Sequence, residues 1–266
     1  MFAVLEVASV PRRFDPFARG FTAEGREKPS YLNVTLEVPL GARKGTVRRR
    51  ARHIFEFLRR AGIIGIVLPE GFPYAEEAAG YGLAVSTPVP LLRRLAAPLC
   101  RYAVETAGVK WDRVRVLLFA RRATNELINA ASALTSWTGN LHILAGPDSE
   151  AVCYLLRKRF GVAASDAPVR HSEGFLDVVL LFECPEEKLD VPDDAVVLNL
   201  TGAVPALTGG LLIDGAALEP PRSFRRNWPV GCDNGAMLAA LLATEQVLTD
   251  EIGIRGLTLW GALVKL

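Results

Sequence analysis

Long apolar runs are missing from this 266-residue chain. Half of its residues are hydrophobic and its mean hydropathy is +0.22, yet proline, glycine or a charge interrupts every apolar stretch short of the ~20 residues that cross a bilayer. No membrane association is expected. Charge of one sign is missing as well, with 31 Lys and Arg against 29 Asp and Glu. Bulk attraction for nucleic acid is thereby disfavoured, and any anion binding must come from a local patch. Cysteine is scarce and scattered: Cys100, Cys153, Cys184 and Cys232 form no CxxC pair, which argues against a structural zinc site or a disulfide framework. The histidines, His53, His142 and His171, stand in no HExxH or other metal-ligand spacing, so no metal is expected. Neither a Gly-x-Ser-x-Gly elbow nor a Walker loop occurs. The first ten residues lack a basic leader and a cleavage site and carry Glu6 inside their apolar stretch, so a cytoplasmic protein is expected.

What the chain does have is rhythm. Phe2 to Val10 and the polar stretch from Pro11 to Pro29 read as an edge strand and a long loop, or as an arm that docks elsewhere, and Tyr31 to Val38 then alternates apolar and polar residues with the period of a half-buried strand. From Thr46 to Arg60, Val47, Ala51, Ile54, Phe55 and Leu58 recur at helical spacing, and Gly62 closes the helix. Then come short apolar runs at Ile63 to Leu68, Leu83 to Val85, Val114 to Ala120, Leu141 to Ala145, Val178 to Phe182, Val196 to Leu200 and Leu211 to Ile213. Helical patterns at Val89 to Ala107, Thr124 to Trp137, Ser149 to Phe160 and Asn234 to Leu248 separate several of them. Uninterrupted runs between helices are the mark of strands buried on both faces of a parallel sheet. The expected fold is α/β: a Rossmann-like, mostly parallel sheet with helices on both faces over residues 111–266, and a smaller N-terminal α/β unit over 1–110. The boundary near 110 is soft, the Pro-rich piece Glu219 to Pro229 is a candidate crossover, and the final helix is free to pack back on the N-terminal unit.

Arginine supplies 25 of the 31 bases and clusters at Arg48 to Arg52, Arg59 and Arg60, Arg121 and Arg122, and Arg222 to Arg226. Guanidinium forks grip phosphate or carboxylate, but they also form ordinary solvated faces.

The most informative window runs from Leu141 to Val152, where a buried strand enters a tight turn and then a helix. That is the setting of a glycine-rich phosphate loop. Aligned on Gly146 it reads Gly-x-Asp-x-x-Ala, with Asp148 where the middle glycine would let backbone approach a pyrophosphate. Two roles compete for the turn: capping of the following helix by Asp148 or Ser149, and nucleotide binding with Gly146 and Ser149 at the phosphates. Asp166, twenty residues after Gly146, stands where an acidic residue would receive ribose hydroxyls. Asn199, Thr201 and Gly202 follow a later strand and would line a cleft at the carboxyl ends of the sheet. His171 is the candidate general acid–base by location. Cys184, in Glu183-Cys184-Pro185-Glu186-Glu187, has no basic neighbour in sequence to lower its pKa.

An α/β front, a Rossmann-like second half and a final helix after Gly231, together with Asn33-Val34-Thr35 and Ile213-Asp214-Gly215, resemble the two-domain organisation of shikimate dehydrogenase and methylenetetrahydrofolate dehydrogenase. That resemblance implies a nicotinamide cofactor, NAD or NADP, and an oxidoreductase. The shikimate family follows Asn-Val-Thr closely with a proline and a catalytic lysine. Here Leu36-Glu37-Val38-Pro39-Leu40 intervenes and the next lysine is Lys44, so the catalytic assignment does not transfer. Two alternatives stand beside the oxidoreductase: a non-catalytic binding or assembly protein with a degenerate phosphate loop, and an S-adenosylmethionine-dependent transferase. Each takes a small-molecule ligand, and an oligomer is compatible with all three.

Overall fold

In a computed structural model the described residues are 1–11, 20–166, 175–229 and 231–266. The chain begins with strands β1 (Phe2–Val10), β2 (Phe21–Glu27) and β3 (Ser30–Pro39), helix α1 (Lys44–Arg60), strand β4 (Gly65–Val67), helix α2 (Ala75–Gly80) and strand β5 (Ala84–Val85). Helices α3 (Val89–Arg94) and α4 (Ala96–Ala107) follow, then β6 (Val114–Phe119), α5 (Asn125–Leu134), β7 (Leu141–Leu144), α6 (Ser149–Phe160), β8 (Leu176–Leu181), β9 (Val196–Asn199) and β10 (Leu211–Ile213). The last elements are β11 (Gly215–Glu219), α7 (Asn234–Ala243), β12 (Gly253–Leu259) and β13 (Ala262–Leu263). They form two compact units, 1–88 with 219–253, and 89–218 with 254–266.

The first unit is built on a sheet ordered β2-β3-β1-β4-β5. All its pairings are parallel except β2 with β3. Phe2 to Val10 is thus a central strand, against the expected edge strand, because Phe2, Ala3, Val4 and Leu5 are all buried between two neighbours. The edges are β5 and β2, and Thr22 to Glu27 of β2 are exposed and carry no hydrophobic period to betray a strand. The amphipathic helix α1 lays Ala51, Ile54, Phe55 and Leu58 onto Ala3, Leu5, Val34 and Leu36. At the end of the chain's return into this unit, Tyr31 donates its hydroxyl to the Asn227 carbonyl at 3.1 Å, and Ser30 N–H donates to Gln246 Oε1 at 2.6 Å.

The second unit carries the site. Its five-stranded sheet is ordered β10-β9-β8-β6-β7 and is parallel throughout. Each strand falls on one of the short apolar runs, broken only by Arg115 in β6, His142 in β7, Asp177 at the start of β8 and Asn199 at the end of β9, and Val114 to Leu118 and Val178 to Leu181 are buried along their length. Outside β7, Ser165 makes a single parallel bridge to His142, with Ile143 N–H on the Ser165 carbonyl at 2.8 Å and Ser165 N–H on the Leu141 carbonyl at 2.9 Å. Counting Ser165 as a rudimentary third strand, the sheet reads 3-2-1-4-5-6, the order of a doubly wound dinucleotide-type fold. The unit is Rossmann-like α/β, with its helices flanking the sheet.

Two expectations change in detail. The single helix expected over Val89 to Ala107 is two, because Pro98 has no N–H to donate to the Arg94 carbonyl and its ring would clash with that oxygen. Both helices belong to the second unit, so the chain passes between units at Pro88 and Val89 rather than near 110. A small sheet ordered β11-β12-β13, not expected from the sequence, adds to this unit.

Candidate functional site

In an open parallel sheet ligands bind beyond the carboxyl ends of the strands, where the strand order reverses. Here that reversal lies between β6 and β8, the first and fourth strands of the unit. The loops that meet there are Ala120–Thr124 after β6, Ala145–Ser149 after β7, Asp166 after the rudimentary third strand, and Phe182–Glu187 after β8. They enclose an open cleft of about 580 Å³ lined by Phe119, Ala120, Arg121, Leu144, Gly146, Ser149, Asp166 and Glu186. Gly146, Ser149 and Asp166, named from sequence alone, are therefore brought together.

The turn that holds Gly146 is the second strand–helix turn of the unit, not the first. The first, where a dinucleotide fold keeps its glycines, reads Ala120-Arg121-Arg122-Ala123-Thr124 and has no glycine. Its Thr124 caps α5 by accepting from Leu127 N–H at 3.2 Å. Two other amides of this turn are held by carboxylates from neighbouring strand ends: Arg121 N–H donates to Glu183 Oε2 at 2.8 Å, and Ala123 N–H to Asp148 Oδ2 at 3.0 Å. The side chains repeat the pattern, with Arg121 on Glu183 and Glu186 at 3.3 and 3.1 Å and Arg122 on Asp148 at 3.6 Å. The two glutamates, Glu186 foremost, raise the Arg121 guanidinium above its ordinary value and hold it charged.

Capping of α6 by Asp148 or Ser149, expected from the sequence, is not what these side chains do. Asp148 occupies the N-cap position but makes no cap hydrogen bond, because its carboxylate reaches across to the turn after β6. The buried Ser149 hydroxyl accepts from Ala145 N–H at 2.8 Å and donates to the Gly146 carbonyl at 2.9 Å, closing the turn on itself. Gly146 has φ +54°, and a Cβ there would lie 2.3 Å from the Arg121 carbonyl oxygen. Its missing side chain thus lets two loops touch backbone to backbone.

Asn199, Thr201 and Gly202 lie at the end of β9 and do not line the cleft. Buried Asn199 donates to the Ala203 carbonyl at 2.8 Å and accepts from Thr201 N–H at 3.1 Å. The Thr201 hydroxyl donates to Asn199 Oδ1 at 2.7 Å and accepts from Ala203 N–H at 3.1 Å and from the Cys184 thiol at 3.3 Å. Gly202, at φ +76°, leaves room for Val89, whose Cγ2 a Cβ would meet at 2.6 Å. The group is a self-satisfied turn. Beside it Arg93 of α3 donates to the carbonyls of Phe182 and Leu200 at 2.7 and 3.1 Å, closing the β8–β9 side of the sheet end.

His171 falls outside the described residues. His53 is exposed on α1, and His142 stands on β7. Among the described residues no group of His, Cys, Asp and Glu could hold a metal ion, and no helix is long and apolar enough to cross a membrane. On α6, burial and then the nearby Asp166 charge push the Cys153 thiol up, with Arg157 opposing. Arg121 and Glu186, which line the cleft, and Glu183, which holds Arg121 beside it, were not among the expected site residues. Their signal was present as an arginine pair and an acidic cluster, each directly after a buried run, but both read equally well as solvated faces.

Fold and site together define a Rossmann-like α/β protein with an open, carboxylate-rich cleft at the carboxyl ends of its parallel sheet. Comparison of the chain with models of protein families and with curated proteins gives no match.

Proposed function

We propose that the protein binds a small ligand bearing a nucleoside, held in the cleft beyond β6 and β7. The observation that carries this reading is the convergence of two chain segments, the Gly146–Ser149 turn and Asp166, on one cleft at the strand-order reversal. Its volume of about 580 Å³ lies in the range of roughly 300–1,000 Å³ usual for small-molecule sites. Asp166 follows the third strand and is exposed to the cleft, so its carboxylate is an acceptor for ribose hydroxyls. Leu144 and Phe119 offer the apolar wall that a base needs. Nicotinamide-dependent oxidation and S-adenosylmethionine-dependent transfer are both compatible with such a ligand.

A thermal-shift panel of adenosine, S-adenosylmethionine, NAD(H), NADP(H) and FAD, followed by calorimetric titration of any hit, tests the reading. At least one compound is expected to raise Tm saturably, and Asp166→Ala to weaken it tenfold or more. No shift with any of them would refute it. A second reading, a non-catalytic binding or assembly protein, draws support from the glycine-free turn after β6. It predicts binding without turnover of any panel cofactor.

A further inference from the structure

We infer that the cleft takes an unphosphorylated nucleoside, because the protein's own carboxylates occupy the place of the phosphates. The inference rests on the nucleoside reading above and narrows it. In a phosphate-binding turn of this fold, the amides after the first strand point at the pyrophosphate, and glycine lets the backbone come close. Here the corresponding turn keeps the amides and gives them away. Arg121 N–H is spent on Glu183, delivered from the end of β8, and Ala123 N–H on Asp148, delivered from the turn after β7.

The side chains that could compensate are committed in the same way. Arg121 lies on the cleft wall but is forked between Glu183 and Glu186, and Arg122 reaches Asp148. Two arginines thus face four carboxylates once Asp166 is included. A phosphate approaching the turn after β6 meets the carboxylates of Glu183, Glu186 and Asp148, and to use Arg121 N–H or Ala123 N–H it must first displace an internal acceptor. Ligand groups of the opposite character are welcome: ribose hydroxyls and an exocyclic amine donate, and a cationic 5′ substituent such as a sulfonium is attracted. Gly146 shapes the same exclusion, since its backbone packs against the Arg121 carbonyl and ties the two turns together.

The test is calorimetric titration of the full chain with adenosine, S-adenosylmethionine, AMP and NAD⁺. The wild-type protein is compared with D148A/E183A, and D148N/E183Q serves as a variant that keeps the acceptor atoms while removing the charge. Wild type is expected to bind adenosine or S-adenosylmethionine at least tenfold more tightly than AMP or NAD⁺. In both double variants that preference shrinks tenfold or more, about 1.4 kcal/mol, and the wild-type preference weakens with added salt. If wild type binds AMP or NAD⁺ as tightly as adenosine, this inference falls and the nucleoside cleft stands. A preference unchanged in whichever double variants fold also overturns it. Failure of all four ligands to bind any of the proteins overturns this inference, and if NADP(H) and FAD also give no shift the nucleoside reading falls with it.

Discussion

The four cysteines differ by environment more than by sequence context. Burial pushes the Cys100 thiol up to about 12. Cys232 is also pushed up to about 12, by burial first and then by Glu6 and Asp233. Cys153 is raised by burial and by Asp166, whereas Cys184 is only half-buried, with its thiol on Thr201. Thiol reactivity follows thiolate fraction and access. At pH 7.5 a disulfide reagent is therefore expected to find one fast thiol in the native protein, and that phase to vanish in Cys184→Ser; a fast phase that survives the substitution would contradict the assignment. The raised thiols also predict the sign of a pH effect. Cys100 and Cys232 keep their protons when folded to about 12 but titrate near 9.0 when free, so above pH 9 the unfolded chain holds fewer protons. Their contribution to stability is complete below pH 9 and is lost as pH rises toward 12. Urea melts at pH 8, 9 and 10 should show midpoints falling over the last interval, and a flat profile would count against it.

Among the elements, the parallel strands were the most legible. A strand with helices over it needs no polar face, so β6, β8 and β9 stand in the sequence as plain apolar runs. β2 and the β11-β12-β13 sheet were invisible for the converse reason: exposed or partly covered strands carry no such run. The cleft was half legible. Gly146 follows a strand and Asp166 a short apolar segment that makes a single bridge, and both announce themselves, but which turn comes first in the sheet depends on strand order, and strand order is a long-range property. One polar break in these strands has an energetic reading. Arg115 and Asp177 are register partners on β6 and β8, buried and bidentate at 2.7 Å for both bonds, with the guanidinium 5.2 Å from the Phe175 ring. Removing one partner deprives the other buried charge of its bidentate mate, at a cost of about 3–5 kcal/mol, while replacing both with apolar residues is often neutral. Asp177→Leu should accordingly lower the urea midpoint sharply and R115M/D177L should recover most of it. A double variant no more stable than Asp177→Leu would mean the pair is favourable in its own right.

For the whole molecule the decisive fact is that neither unit is a continuous stretch of chain. The first is completed by 219–253, whose α7 buries Met237, Leu238 and Leu241. In the same segment Asn227 and Gln246 tie down Tyr31, Lys28 and Ser30. A fragment of residues 1–110 lacks all of this. Expressed alone, it should show no cooperative urea transition, and a sharp one would contradict the interdependence. Expressing 1–88 joined by a flexible linker to 219–253 should restore the transition.

The same interleaving sets a timetable for synthesis. The first unit opens on the N-terminal side of the second and closes only at Gly253, so a nascent chain that has reached Pro88 must hold its apolar strands unfinished while the second unit is translated. At roughly 5–20 residues per second that wait lasts on the order of 10–30 s. During it β1 and β3 lack the segment that completes them, and the chain is more exposed to misassociation on the ribosome than at any time after release.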